Sequence, residues 1–213
     1  MKEMPWLLLI IVWIVNFGIS WWNAYACGKS WVETKHLGGW ERFMCWMGAI
    51  MSASGFTWCY LLVLLLGGYY AQQGFIQPGH APILSEHAIQ AGLSLGYLIL
   101  IPGILFSGMM IWLDSLMRAW RRRDLPSIGI AAWNTYAQIH NTYSAFSGIP
   151  GALKSIKGFC ARGSKNSKGL AVVLIIILVV FAILGGVFTT WGIISHYAAT
   201  EPLPSRRQEG AQA

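Results

Sequence analysis

The chain has 213 residues, of which 55% are hydrophobic and only 11% are charged, and its formal net charge is +7. A soluble domain carries about 25% charged residues, so this composition excludes an ordinary soluble globular protein. Four stretches, at about residues 4–25, 43–69, 88–113 and 170–194, reach the roughly 20 apolar residues that a helix needs to cross a bilayer. The sequence therefore predicts an all-α membrane protein with four transmembrane helices.

Lysine and arginine residues are distributed unevenly among the segments that connect these spans. Three lie in residues 27–42 and nine in residues 114–169, whereas the segments on the other side of the membrane hold three in total. Because cytoplasmic loops carry the excess of basic residues, we expect both basic segments in the cytoplasm and both termini outside it, in the cell inner membrane. The same distribution favours a retained first span over a cleaved signal peptide.

The third span of residues 1–113 carries four small residues on one face. Gly92, Gly96, Gly103 and Ser107 follow one another at spacings of 4, 7 and 4. Small residues allow helix backbones to approach closely in lipid. Two interpretations follow: the face packs within the bundle, or it contacts a partner subunit.

The predicted spans contain no Asp, Glu, Lys, Arg or His. Ionisable residues at membrane depth are the usual mark of ion pathways and proton relays, so proton-coupled transport is not expected. The chain also has no HExxH, GxSxG or Gly-rich phosphate-binding motif. We therefore expect no enzymatic activity, no metal and no cofactor, while a small channel or uncoupled transporter stays open as an alternative.

The segment at residues 114–169 begins with a basic run and continues without charge. Arg118, Arg121, Arg122 and Arg123 precede residues 125–153, which contain no Asp, Glu, Lys or Arg. Start signals at Pro126 and Ser127 and stop signals at Gly148 and Pro150 predict a cytoplasmic amphipathic helix at about 127–147. Its apolar face would consist of Ile128, Ala132, Tyr136, Ile139, Tyr143 and Phe146, with Asn134, Gln138 and Asn141 opposite.

Two interpretations of this amphipathic helix remain. It lies flat on the anionic leaflet, held by the four arginines and by Lys154 and Lys157, with Tyr136, Ile139, Tyr143 and Phe146 turned toward the acyl chains. Alternatively, it docks against another protein. The arginines could also serve only to fix topology. Direct contact with nucleic acid is not expected, because the basic run is short and held against the membrane.

The remaining segments have the composition of flexible chain. Residues 161–169 are rich in Gly, Ser and Lys and predict a flexible linker. Residues 195–213 follow the fourth span and predict a disordered tail.

Two stretches resemble a known group of proteins. Residues 30–64, SWVETKHLGGWERFMCWMGAIMSASGFTWCYLLVL, and the later run WLDSLMRAWRRRDL resemble small multispan inner-membrane proteins of conjugative plasmids and integrating elements. The resemblance implies an accessory role in DNA transfer or in mating-pair interaction and no catalytic residue. We therefore expect a non-enzymatic membrane component that acts through protein–protein contacts.

Overall fold

The computed structural model of the chain describes residues 6–33, 39–75, 84–161 and 165–200, and these ranges contain no strand. The five helices found there are α1 (Trp6–Glu33), α2 (Gly39–Phe75), α3 (Glu86–Arg122), α4 (Leu125–Ala161) and α5 (Lys165–Thr200). Four of them, α1, α2, α3 and α5, are long and apolar enough to cross a membrane. The prediction of an all-α, multi-pass membrane protein is therefore confirmed at this level.

Helices α1 and α2 run antiparallel. Trp13, in the first half of α1, donates its indole N–H to the carbonyl of Cys59 in the second half of α2 (3.1 Å). Cys27, in the second half of α1, donates to the carbonyl of Cys45 near the start of α2 (3.4 Å). Helix α5 lies beside both, and its Thr189 hydroxyl bonds that of Tyr60 in α2 (2.8 Å).

Helices α3 and α4 form the most extensive contact between helices in the described chain. They are antiparallel, because Thr135 near the start of α4 bonds Trp112 late in α3 and Ser144 bonds Tyr97 further back. The arrangement has two ends. We call the end of α3 that carries Arg118–Arg122 the arginine end, and the opposite end, where α4 finishes, the lysine end.

Two apolar clusters hold α1, α2, α3 and α5 together. The cluster nearer the lysine end joins α2, α3 and α5 and consists of Leu61, Leu65, Leu84, Ala88, Ile89, Ile175, Val179 and Ala182. The cluster nearer the arginine end joins α1, α2 and α5 and consists of Ala24, Cys27, Phe56, Ile193 and Ile194. Helix α2 contributes to both and contacts α1, α3 and α5, so it is the central helix of the bundle.

Polar side chains between α1, α2 and α5 bond to one another. Asn16 donates to the Gly55 carbonyl (3.0 Å), and Ser52 donates to the Ser20 carbonyl (2.8 Å) while its hydroxyl also meets that of Thr190 (3.1 Å). Such interhelical hydrogen bonds contribute to association where lipid supplies no hydrophobic driving force. These groups hold the three helices together.

Helix α4 is longer than its sequence signals indicate. It runs from Leu125 to Ala161, through Gly148 and Pro150, where a stop was expected. A proline inside a helix removes one backbone hydrogen bond and clashes with the preceding turn. Packing on both sides of Pro150 compensates, because Gly148 lies against Tyr97 and Ala152 is buried.

The neighbouring boundaries also differ from the expected ones. Helix α3 continues to Arg122, so most of the basic run is helical rather than part of a loop. Helix α5 begins at Lys165 and ends at Thr200, so it includes part of the expected linker and the first residues of the expected tail. Residues 162–164 and 201–213 lie outside the described residues.

Candidate functional site

The four small residues of α3 face other helices of the same chain. A methyl group added at Gly92 would lie 3.1 Å from Leu65 of α2 and 3.3 Å from Ile175 of α5, and one added at Gly96 would collide with Leu61. Gly103 faces Ile50 and Ser54 of α2, each 3.6 Å from an added methyl group. Ser107 is fully buried and bonds the Gly103 carbonyl. Of the two interpretations, these contacts match packing within the bundle.

The contact between α3 and α4 is polar along much of its length. The Trp112 indole donates to the Thr135 hydroxyl (2.9 Å), and the Tyr97 hydroxyl donates to the Ser144 carbonyl (2.6 Å). Between them, Gln138 donates to the Leu105 carbonyl (3.5 Å). Several polar groups of α4 thus bond to α3.

A row of mostly small residues forms the α4 side of this contact. Ala131, Gln138, Ala145 and Ala152 follow one another at intervals of seven, and the three alanines are buried. A methyl group added at Gly108 of α3 would lie 2.5 Å from the Gln138 side-chain oxygen. A seven-residue repeat keeps one helix seam against its neighbour, so α4 has the spacing of a helix that pairs along its whole length.

The opposite face of α4, which we call the outer face, turns away from the bundle. Tyr136, Ile139, Tyr143 and Phe146 are between 63% and 73% exposed, and they are four of the six residues expected to share an apolar face. His140 is also exposed and stacks on Tyr136, with ring centroids 6.1 Å apart. The outer face therefore combines aromatic area with polar atoms.

The exposed side of α5 has a different chemistry. Its large exposed side chains include Val173, Ile177, Phe181, Leu184 and Phe188, and Phe181 is 63% exposed. None of these five side chains carries a hydrogen-bonding atom, as suits contact with acyl chains. The outer face of α4 carries two phenols and an imidazole at comparable exposure, so the two surfaces are built for different surroundings.

At the arginine end, Asp114 connects α2 to α3. Its carboxylate accepts the Trp40 indole N–H (2.9 Å) and pairs with Arg118 (2.6 Å), while its side chain is 13% exposed. A largely buried carboxylate requires such partners. Arg121 and Arg122 line the adjoining surface cleft, of about 550 Å³, together with Trp40, Glu41, Asp114, Met117 and Arg118.

Arg123 and Asp124 form the turn between α3 and α4. Arg123 adopts the left-handed conformation (φ 54°), and its N–H donates to the Ala119 carbonyl (2.9 Å) to cap α3. The Asp124 carboxylate accepts the Ser127 backbone N–H (2.8 Å) and so caps α4. Hydrogen bonding by Ser127, through its side chain first and its backbone second, holds the pKa of Asp124 below its ordinary value. The basic run thus also contains the turn that reverses the chain.

The expected basic contacts lie at opposite ends of α4. Lys154 and Lys157 line a cleft at the lysine end, whereas Arg118, Arg121, Arg122 and Arg123 lie at or just beyond the last turns of α3. A rise of 1.5 Å per residue places Arg123 and Lys154 about 45 Å apart along the helix axis. The structure does not bring the two groups together.

Sequence reasoning missed the partners of α4 on α3, namely Tyr97 and Trp112. The available signal was the tripeptide Asn-Thr-Tyr, which occurs at residues 134–136 and again at 141–143. The interval of seven places Thr135 and Thr142 on the side of α3 and Tyr136 and Tyr143 on the outer face.

No protein-family model, curated protein or solved structure matches the chain.

Proposed function

We propose that this protein is a non-enzymatic component of the cell inner membrane that acts by binding another membrane protein, and that the outer face of α4 is the binding surface. The partner we infer is a membrane-spanning helix with hydrogen-bonding side chains. The main supporting observation is the contrast between the exposed phenols and imidazole of α4 and the exposed side chains of α5 between residues 170 and 188, which are all hydrocarbon.

The chemistry of the outer face supports a protein partner. Tyrosine supplies a large, rigid contact area with a polar tip, and aromatic residues are enriched where proteins meet. In an apolar surrounding, the hydroxyls of Tyr136 and Tyr143 need hydrogen-bond partners, which acyl chains do not offer. A helix with polar side chains offers them.

The interior of the bundle supports a binding role over a conducting one. The polar side chains between α1, α2 and α5 bond to one another or to backbone carbonyls, as Ser52 does with Ser20 and Thr190. Side chains engaged in this way hold helices together rather than line a path for a solute. The resemblance of residues 30–64 supports a partner within a conjugative DNA-transfer apparatus.

Photo-crosslinking in native membranes tests the proposal. A photoreactive phenylalanine analogue at Tyr143 should give a discrete adduct with a second membrane protein, and the same analogue at Phe181 of α5 serves as the matched control. Adding Tyr136→Phe to the Tyr143 variant should reduce the adduct at least several-fold, because it removes one hydroxyl while preserving the aromatic area.

Specific outcomes would overturn this function. Equal adduct yields from the α4 and α5 positions would mean that the outer face merely collides with its neighbours. An adduct of twice the mass of this chain would replace the partner with a second copy of the protein. If no adduct forms, or if its yield does not change with Tyr136→Phe, the outer face does not bind a partner through hydrogen bonds and the proposal is wrong.

A further inference from the structure

We infer that α4 crosses the membrane beside α3 as a fifth transmembrane helix, with its outer face in the hydrocarbon layer. This inference does not rest on the proposed function, because it concerns the depth of α4 rather than what binds it. It differs from both interpretations of the sequence, which place α4 on the cytoplasmic surface.

The register between α3 and α4 is the first support. Thr135 lies level with Trp112, Ser144 with Tyr97, and Gly148 also meets Tyr97. Phe159 packs on the apolar cluster that includes the first turn of α3. Helix α4 therefore accompanies α3 from one end to the other, and a helix that accompanies a spanning helix over this length spans the same layer.

The distribution of polar groups is the second support. A helix surface in water normally carries charged residues, but no Asp, Glu, Lys or Arg occurs from residue 125 to 153. These 29 residues correspond to about 43 Å of helix, which exceeds the roughly 30 Å of the hydrocarbon core. Charges flank the stretch on both sides, at Arg123 and Asp124 and at Lys154 and Lys157.

The orientation of the side chains is the third support. Thr135, Gln138 and the Ser144 carbonyl engage α3, while Ile139 and Phe146 point away from the bundle. The inner polar groups thus bond mainly to α3, as a lipid surrounding requires, while the outer face is mainly apolar but also carries Tyr136, His140 and Tyr143. The mean hydropathy of α4 falls short of that of a typical span because polar residues on its inner side and on its outer face both lower the average.

A fifth crossing changes the topology of the whole chain. The five helices alternate in direction, so the start of α1 and the end of α5 lie at opposite ends of the bundle, and the two termini lie on opposite sides of the membrane. The segments at the arginine end then hold nine basic residues, namely Lys29, Lys35, Arg42, Arg118, Arg121, Arg122, Arg123, Arg206 and Arg207. The lysine end holds six, namely Lys2, Lys154, Lys157, Arg162, Lys165 and Lys168. Because cytoplasmic segments carry the excess of basic residues, we expect the arginine end in the cytoplasm.

Thiol labelling of intact cells tests the inference in the full chain. Leu125→Cys marks the arginine end at an 84% exposed position, and Gly158→Cys marks the lysine end where an added side chain meets open space. Each is made in a Cys160→Ser background, since Cys160 is exposed whereas Cys27, Cys45 and Cys59 are buried. A membrane-impermeant reagent should label Gly158→Cys in intact cells and Leu125→Cys only after permeabilisation.

Labelling of both sites in intact cells, or of neither, would place the two ends of α4 on one side and overturn the inference. Labelling of Leu125→Cys alone would keep the crossing and reverse the orientation. Epitope tags at the two termini give a second readout that does not depend on thiol reactivity. Protease added to intact cells should remove one tag and spare the other, and equal treatment of both tags would also overturn the fifth crossing.

Discussion

Gly186 lies where the backbones of α5 and α2 approach closely. A methyl group added there would lie 2.6 Å from the Ala53 carbonyl oxygen and 2.7 Å from the Thr57 backbone nitrogen. Backbone atoms cannot move aside as a flexible side chain can. Gly186→Ala should therefore force α5 away from α2 and destabilise the protein by about 1–3 kcal/mol, the usual cost of overpacking.

Thermal unfolding of the purified protein in detergent measures this effect. Gly192→Ala is the matched control, because it lies on the same helix and an added methyl group there meets nothing within 4 Å. The control should leave the melting temperature unchanged or raise it slightly, since alanine favours a helix over glycine. Equal melting temperatures for the two variants would contradict the close approach at Gly186.

Arg123 illustrates how far a residue's role follows from its type. Its charge and its place in a basic run predict contact with lipid or a partner, and nothing in the sequence marks it as the left-handed residue that ends α3. Glycine is the usual choice for that conformation. The turn is a consequence of the antiparallel packing of α4 on α3, which the local sequence does not show.

The boundaries of α4 show why local signals mislead in a paired helix. Gly148 and Pro150 predict a stop by their own conformational preferences, but Gly148 provides the room that the Tyr97 ring occupies. Gly148, which the sequence predicts to end the helix, is thus required for the close contact between α4 and α3. The predicted grouping of Tyr136, Ile139, Tyr143 and Phe146 required only the helical period, and these residues do share one exposed face. That this face points away from the bundle follows from the packing of the opposite side of α4 on α3.

Two substitutions on the inner face of α4 should have opposite effects. Thr135→Val removes the acceptor of the Trp112 indole at nearly constant shape, and leaving that donor unpaired should cost about 1–3 kcal/mol. Gln138→Met removes a buried side-chain oxygen that has no hydrogen-bond partner, together with the two long amide hydrogen bonds to the Leu105 carbonyl (3.5 Å) and the Thr142 hydroxyl (3.4 Å). Because the unpaired oxygen costs more than these long bonds contribute, the substitution should leave stability unchanged or increase it.

Comparing the melting temperatures of the two variants in detergent tests the polar contact. The single substitution Tyr143→Phe on the outer face is the control, because Tyr143 is exposed and no packing depends on its hydroxyl. A Thr135→Val variant as stable as the control would show that the indole bond does not hold α4 to α3. A Gln138→Met variant less stable than Thr135→Val would show that the amide carries the contact instead.

The proposed fifth crossing is a property of the whole molecule that the sequence alone does not predict. Average hydropathy identified α1, α2, α3 and α5 because each contains a long stretch of high mean hydropathy. For α4 the average includes Thr135, Gln138 and Thr142, whose surroundings are another helix rather than lipid. Their contacts are with residues of α3 that lie some 30 positions earlier in the sequence. A hydropathy average uses only neighbouring positions, so it cannot take these contacts into account.

Five crossings make the orientation of the protein sensitive to a few charges, and this yields a final prediction. Replacing Arg121, Arg122 and Arg123 with Gln would leave six basic residues at each end of the bundle, so the positive charge would no longer favour one orientation. We expect a mixed population, in which protease added to intact cells removes an N-terminal epitope tag from only part of the protein. With four crossings, the same substitutions would leave nine basic residues against three, and a single orientation would persist.

The control is Lys154→Gln with Lys157→Gln, which leaves nine basic residues against four in the five-crossing arrangement and should preserve one orientation. A uniform orientation of the triple arginine variant would therefore contradict the balance of charge that a membrane-crossing α4 creates.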